Sequence, residues 1–252
     1  MLGEAMESIV LVCGGDKKVV ENYTPKSLSR LERSPAIPFW LDLQCPSERF
    51  LRRISIPFGF DPRSVQACFS RPRSRSCKDF GNYLFIETCL LEPSQKTLFI
   101  RSDLKIFLSK ERLITIRSRR TPLYRLFPGL RDSPFLDTGR LLLTIFDESI
   151  SALLQSFSPE YEPKTAGLWG DGQPSKDRLW WRLRNFRAAL LSHVKIMHEP
   201  VFLGTWLFGP EDKGMINSIK AKISFLCDMT FAMLCRFDSP AFIQELKKGK
   251  AS

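Results

Sequence analysis

His193 and His198 stand five residues apart, and Glu199 follows the second. A zinc-hydrolase helix carries His-Glu-x-x-His, because imidazoles four residues apart leave one face toward one metal while the glutamate activates water. The spacing here turns the second ring away. The pair reads instead as one histidine on an apolar seam and one at a helix end, where the negative end of the helix dipole favours a positive ring. Asp147 and Glu148 are adjacent carboxylates, and neighbours on a helix point about 100° apart, which suits capping and solvation more than a shared proton. Asp228 is the one candidate metal ligand. It lies inside an apolar helical segment, where a carboxylate can face a divalent cation at a contact between subunits; a solvated or salt-bridged side chain is the other reading. With no Gly-x-Ser-x-Gly elbow, local Cys and His arrangement or dinucleotide fingerprint, an enzyme is the least supported class.

Cationic residues gather in three places. Arg71, Arg73, Arg75 and Lys78 form one cluster, and Arg117, Arg119, Arg120 and Arg125 a second. The third, Arg178, Arg182, Arg184 and Arg187, is interleaved with Trp180, Trp181 and Phe186. Cations for phosphate and rings for stacking are what a nucleic-acid surface needs, and the net charge of +11 agrees with one. No recognised binding motif frames these clusters, so a solvated helix face is the competing reading of the third.

The 252 residues, 43% hydrophobic and 26% charged, are enough for one or two domains with a real core. Seven scattered cysteines without a Cys-x-x-Cys pair indicate neither a zinc site nor a disulfide framework, and a reducing cytoplasm is the expected location. Glu4 and Glu7, not basic residues, precede the apolar run at 9–12, so no secretory signal is read. The most apolar later stretch, residues 225–234, contains Asp228 and is well short of the roughly 20 residues of a bilayer helix.

The elements that must position these residues follow from local pattern. Residues 9–13 and 17–20 flank Gly14-Gly15-Asp16 as a small hairpin, its glycines supplying positive φ. A phosphate-cradling loop would need a following helix and Gly-Lys-Ser/Thr, and has neither. Residues 21–36 read as a connector. A strand is expected at 39–43, then a helix with Ser47 as N-cap and Glu48 in its first turn, then a short helix after Asp61-Pro62. Strands follow at 83–91, 97–108 and 113–117, the last two forming a hairpin whose apolar positions fit a sheet covered by helices. A helix at 137–157 carries a broad apolar face, and prolines and glycines in 158–174 mark a boundary. Beyond it, Leu179, Leu183, Phe186, Leu190, His193 and Met197 step by four and three, as do Ile216, Ile219, Ile223, Leu226, Thr230, Met233 and Phe237. That is the spacing of coiled-coil seams, which want each other or copies in an oligomer as partners. The expected division is 1–37, 38–158, a linker at 159–174, and a helical stalk at 175–252.

Taken in order, Trp40-Leu41-Asp42-Leu43-x-x-Pro46-Ser47, Phe58-Gly-Phe-Asp-Pro62, Arg71-Pro72-Arg73, Asn82-Tyr83-Leu84-Phe85-Ile86, the 104–116 hairpin and the 141–157 helix resemble the cytoplasmic domain of the CorA family of divalent metal-ion transporters. The resemblance covers about residues 38–157. It implies an α/β or α+β class, with an αβα-layered domain on a mixed sheet, followed by long coiled-coil-like helices. It further implies a pentameric homo-oligomer, membrane-embedded transporter subunits as partners, a place at the cytoplasmic face of the membrane, and magnesium or cobalt as the ion. Three departures bear on function. Gln66 and Ala67 occupy the family's acidic pair, and Ala67 offers no ligand atom to a hard cation. The sequence reaches Ser252 with neither paired membrane helices nor Gly-Met-Asn, and its charge is basic where the family's funnel is usually acidic. The expectation is a truncated or degenerate relative with a regulatory or scaffolding role, binding Mg2+ or Co2+ weakly or not at all, with Asp228 as its candidate metal residue. The alternative is a basic nucleic-acid-binding or interaction module.

Overall fold

The strand anticipated at 39–43 is β3 (Phe39–Gln44), and all six of its residues are buried. In the computed structural model of the chain, the residues described are 9–13, 19–20, 38–70, 76–94, 98–118, 123, 137–156, 176–204 and 207–237. The Gly14-Gly15-Asp16 turn, the 21–36 connector, Arg71-Pro72-Arg73 and the 158–174 stretch lie outside them. β1 (Ile9–Cys13) pairs antiparallel with β2 (Val19–Val20) and also with β3. With β4 (Ser76–Asp79), β5 (Leu84–Ser94), β6 (Leu98–Leu108) and β7 (Arg112–Arg117), these strands form one sheet in the order β2-β1-β3-β7-β6-β5-β4. Only β3 and β7 run parallel, so the sheet is mixed. β4 had no sequence signal: of its four residues only Cys77 is buried, and it exists by pairing with Leu84 to Glu87.

Alternation along the strands sorts side chains to two faces. One face presents Phe39, Leu41, Leu43, Phe85, Phe107 and Ile114 to α1 (Glu48–Phe58) and α2 (Pro62–Ala67), which add Phe50, Leu51, Ile54 and Val65. The other presents Trp40, Ile86, Leu104, Ile106 and Leu113 to α3 (Thr138–Ser156), α4 (Lys176–His198), the short α5 (Pro200–Leu203) and α6 (Asp212–Phe237). The result is an αβα-layered fold with long helices, as expected. Because both faces are covered, the central strands are apolar almost throughout.

Local chemistry sets the helix ends. The Ser47 hydroxyl accepts from the Phe50 N–H at 3.2 Å, and α1 stops at Gly59, whose φ of 66° favours glycine. Space is not the reason there, since an added Cβ would meet only the Asn82 amide at 3.6 Å. Asp61 caps α2 by accepting from the Arg63 N–H at 2.7 Å, with Pro62 at the first helical position. Hydrogen bonds from Arg63 hold the Asp61 carboxyl below its usual range. The Tyr83 hydroxyl accepts from the Asp61 N–H and lies 2.9 Å from the Ser64 hydroxyl, tying this helix start to the head of β5.

Much of the two heptad seams is filled within the chain, with Met233 half-buried and the side chains of Leu179 and Phe237 outside the described residues. Leu183, Phe186, Leu190, His193 and Met197 of α4 and Ile216, Ile219, Ile223, Leu226 and Thr230 of α6 are all buried, most of them in the core that covers the sheet. Thr230 fits there because its hydroxyl donates back to the Leu226 carbonyl at 2.6 Å. β4 reaches only as far as Glu87, so the outer edge of β5 beyond it has no strand beside it among the described residues. Helices serve that edge: His193 Nε2 lies 2.8 Å from the Cys89 carbonyl oxygen, and the Ser149 hydroxyl donates to the Leu91 carbonyl at 2.8 Å. His193 Nδ1 is 2.9 Å from the Ala189 carbonyl oxygen, so the seam histidine is engaged at both nitrogens.

Between the parallel strands sits a charged network with no exposure. Asp42 Oδ1 accepts from Thr115 Oγ1 at 2.7 Å and Arg117 Nε at 3.1 Å, while Oδ2 accepts from Arg117 Nη2 at 2.8 Å and the Leu123 N–H at 3.1 Å. Trp40 Nε1 donates to Thr115 Oγ1 at 3.0 Å. This corrects the placement of Arg117 in a basic surface cluster: the alternation that turns Leu113 and Thr115 inward turns Arg117 inward too. Replacing Asp42 with Ala should cost about 3–5 kcal/mol in urea unfolding, because Arg117 is left charged and buried. The double change Asp42→Leu with Arg117→Met should cost less than either single change, and a larger loss in the double variant would refute this account.

Candidate functional site

With its inner seam packed on the core, α6 presents a second face. Gly214, Ser218, Ala221, Phe225, Asp228, Ala232 and Cys235 are exposed and again step by four and three. Phe225 is 58% exposed and Phe231, beside the same face, 53%. Asp228 therefore stands one helical turn from an exposed phenylalanine on either side. Its carboxylate offers two oxygens, whereas calcium takes six to eight oxygen ligands and magnesium six. No group of three His, Cys, Asp or Glu side chains gathers among the described residues, so these place no such cluster around Asp228.

The other chemical candidates disperse. His193 is buried, whereas His198 is exposed as the last residue of α4. Asp147 is spoken for by α6, since Lys222 Nζ donates to it at 2.6 Å and to the Ser151 hydroxyl at 3.0 Å. Gln66 is exposed near the end of α2, and Ala67 packs against the core on that side, which suits a small apolar residue and not a carboxylate. In the third basic cluster Phe186 is fully buried, and two of the arginines lie over rings: Arg184 is 5.2 Å from the centre of Trp180 and Arg187 5.3 Å from that of Phe231. Arg187 thus joins the outer side of α4 to the outer side of α6.

The outer seam of α6 was missed in the sequence, although its spacing was present there. Its residues are mostly small, and a periodicity search weighted by hydrophobicity finds the larger Ile and Leu positions of the inner seam first.

Neither a protein-family model nor a curated protein matches the chain. Among solved structures, it is similar to the soluble domain of CorA from Methanocaldococcus jannaschii, with 16% identity, 91% of this chain and 94% of that one covered, and a TM-score of 0.65. Against the complete CorA magnesium transporter from the same organism the values are 15%, 96% and 78%, with a TM-score of 0.67. The ZntB cytoplasmic domain from Vibrio parahaemolyticus RIMD 2210633 matches over 98% of this chain and 99% of that one, at 9% identity and a TM-score of 0.65. The architecture, αβα layers on a mixed sheet with long helices on one side, is therefore that of these solved domains. More particularly, the chain has the fold of the CorA soluble domain. No helix among the described residues is long and apolar enough to cross a membrane.

Cysteine exposure gives a direct check on this arrangement. Burial pushes the Cys68 and Cys77 thiols up to about 12, while Cys45 and Cys235 are exposed. In a Cys13→Ser background at pH 8, an aromatic disulfide reagent should label Cys45 and Cys235 rapidly. Cys68, Cys77, Cys89 and Cys227 should react only on unfolding, because the thiolate is the attacking species. Fast labelling of Cys227 would mean that α6 packs otherwise.

Proposed function

We propose that the chain is a CorA-type cytoplasmic domain with a regulatory or scaffolding part in divalent-cation transport, and that it assembles with copies of itself through the outer face of α6. The observation that carries this reading is the conjunction of a fold likeness covering 91% of this chain and 94% of the CorA soluble domain with a second heptad face left exposed on α6. Coiled-coil packing needs a sustained heptad stripe, and small residues allow helices to approach closely. Asp228 is the carboxylate on that stripe, so a ring of copies brings one such group from each chain toward a shared axis. Magnesium or cobalt is the ion the likeness suggests, held through water with few direct ligands. A pentamer is the oligomer that the family resemblance suggests, and membrane-embedded transporter subunits are its partners at the cytoplasmic face. The function is one of binding and assembly, without catalysis. The nucleic-acid alternative loses weight because Arg117 belongs to the interior.

Light scattering of the purified chain with and without magnesium, paired with calorimetric titration of magnesium and cobalt, tests this reading. An oligomer strengthened by magnesium, with a heat of binding lost in Asp228→Asn, supports a sensing role, whereas an oligomer indifferent to metal supports a scaffold. A monomer at roughly 100 μM under both conditions removes the reading, since that concentration populates any assembly with a Kd of about 10 μM or tighter. Phe225→Glu, at an exposed position, should dissociate the oligomer without lowering the unfolding temperature. Mild oxidation should cross-link Cys235 between copies in the parent chain and not in the Phe225→Glu variant.

A further inference from the structure

Phe58 ends α1, Gly59 turns the chain and Phe60 follows, which brings two rings to the head of the sheet beside Tyr83 and Phe107. Phe60 stacks on Phe107 with centroids 4.0 Å apart and planes 20° apart, and meets Tyr83 edge-on at 5.2 Å. Between these rings and the turn joining β6 to β7 opens a cleft of about 290 Å³. Its rim carries Lys110, Glu111 and Arg112, and the Arg112 guanidinium lies 5.3 Å from the centre of the Phe58 ring.

The walls and the rim select different parts of a ligand. Flat aromatic faces favour another flat ring in offset stacking. Two cations against one anion leave the rim positive by one charge, and a guanidinium fork matches a carboxylate with two parallel hydrogen bonds. The volume lies near the lower end of ligand sites, roughly 300–1,000 Å³, which suits one or two fused rings and excludes a dinucleotide. We propose that this cleft binds a small planar aromatic carboxylate, its ring against the half-buried Phe60 and its anionic group at Arg112, which covers the buried Phe58 ring. The cleft is on the α1–α2 side of the sheet, opposite the core that α6 joins, so the proposal stands or falls apart from the assembly reading.

The test is titration of the full chain with naphthalene-2-carboxylate, beside the uncharged carboxamide and the cationic 2-naphthylmethylamine, followed by ligand line broadening and calorimetry. The carboxylate should bind at least about tenfold more tightly than either analogue, as expected for charge-assisted hydrogen bonds. Arg112→Gln should weaken the carboxylate about tenfold and leave the carboxamide unchanged. Thermal unfolding checks that this variant is folded; if it is not, Lys110→Gln on the exposed turn replaces it, with an expected loss of about threefold. No binding of the carboxylate at roughly 5 mM, equal affinity for the three probes, or an affinity that the folded variant leaves unaltered overturns the proposal.

Discussion

The ion pair between Asp42 and Arg117 is the constraint around which the sheet is organised. It joins β3 and β7, the only parallel pair among the described strands, at the centre of a seven-stranded order, with both side chains at 0% exposure. Taking two charges out of water is expensive, and the attraction between them repays it only where hydrogen bonding is nearly complete. Thr115 and the Leu123 N–H complete the bonding of the Asp42 carboxylate, and Trp40 orients the Thr115 hydroxyl. A slip of β3 by one residue would carry Asp42 to the opposite face, among Phe107 and Ile114, and leave Arg117 facing carbon. The pair therefore fixes register where apolar side chains on both faces would tolerate error. Each layer of helices is placed relative to that register.

The extent to which this arrangement was readable in the sequence differs by element. Ser47, Asp61-Pro62 and the alternation through Leu104, Ile106 and Leu108 were legible because caps and period-two patterns act locally. β4 was not, since Ser76 to Asp79 has no pattern of its own and takes its shape from β5. Arg117 was misplaced for a related reason: its neighbours in sequence are basic, while the partner that draws it inward lies 75 residues away. The seams of α4 and α6 were found, but spacing alone does not distinguish a sheet and a neighbouring helix from another subunit as the surface they cover. At the candidate site, Asp228 was singled out by type, and only the structure showed that it sits on a second stripe distinct from the buried one.

That helix with two stripes divides its work. The inner one, with Ile219, Ile223 and Leu226, anchors α6 to the domain, and Lys222 fastens it to Asp147 of α3. The outer one carries small residues, one phenylalanine and one acid, with Phe231 beside it. Because the two lie on opposite sides of a rigid rod, a change at the outer face has a short mechanical path to α3 and thence to β5, which contacts both α3 and α4.

The outer edge of β5 completes the picture. An open strand edge is a template on which another chain can add a strand, and it is the usual starting point of sheet-mediated aggregation. Here His193 and Ser149 engage the carbonyls at Cys89 and Leu91 that such an invader would need. Runaway growth by cross-β stacking is obstructed at that position. The geometry of the seam histidine thereby bears on colloidal behaviour at high concentration, quite apart from any ion.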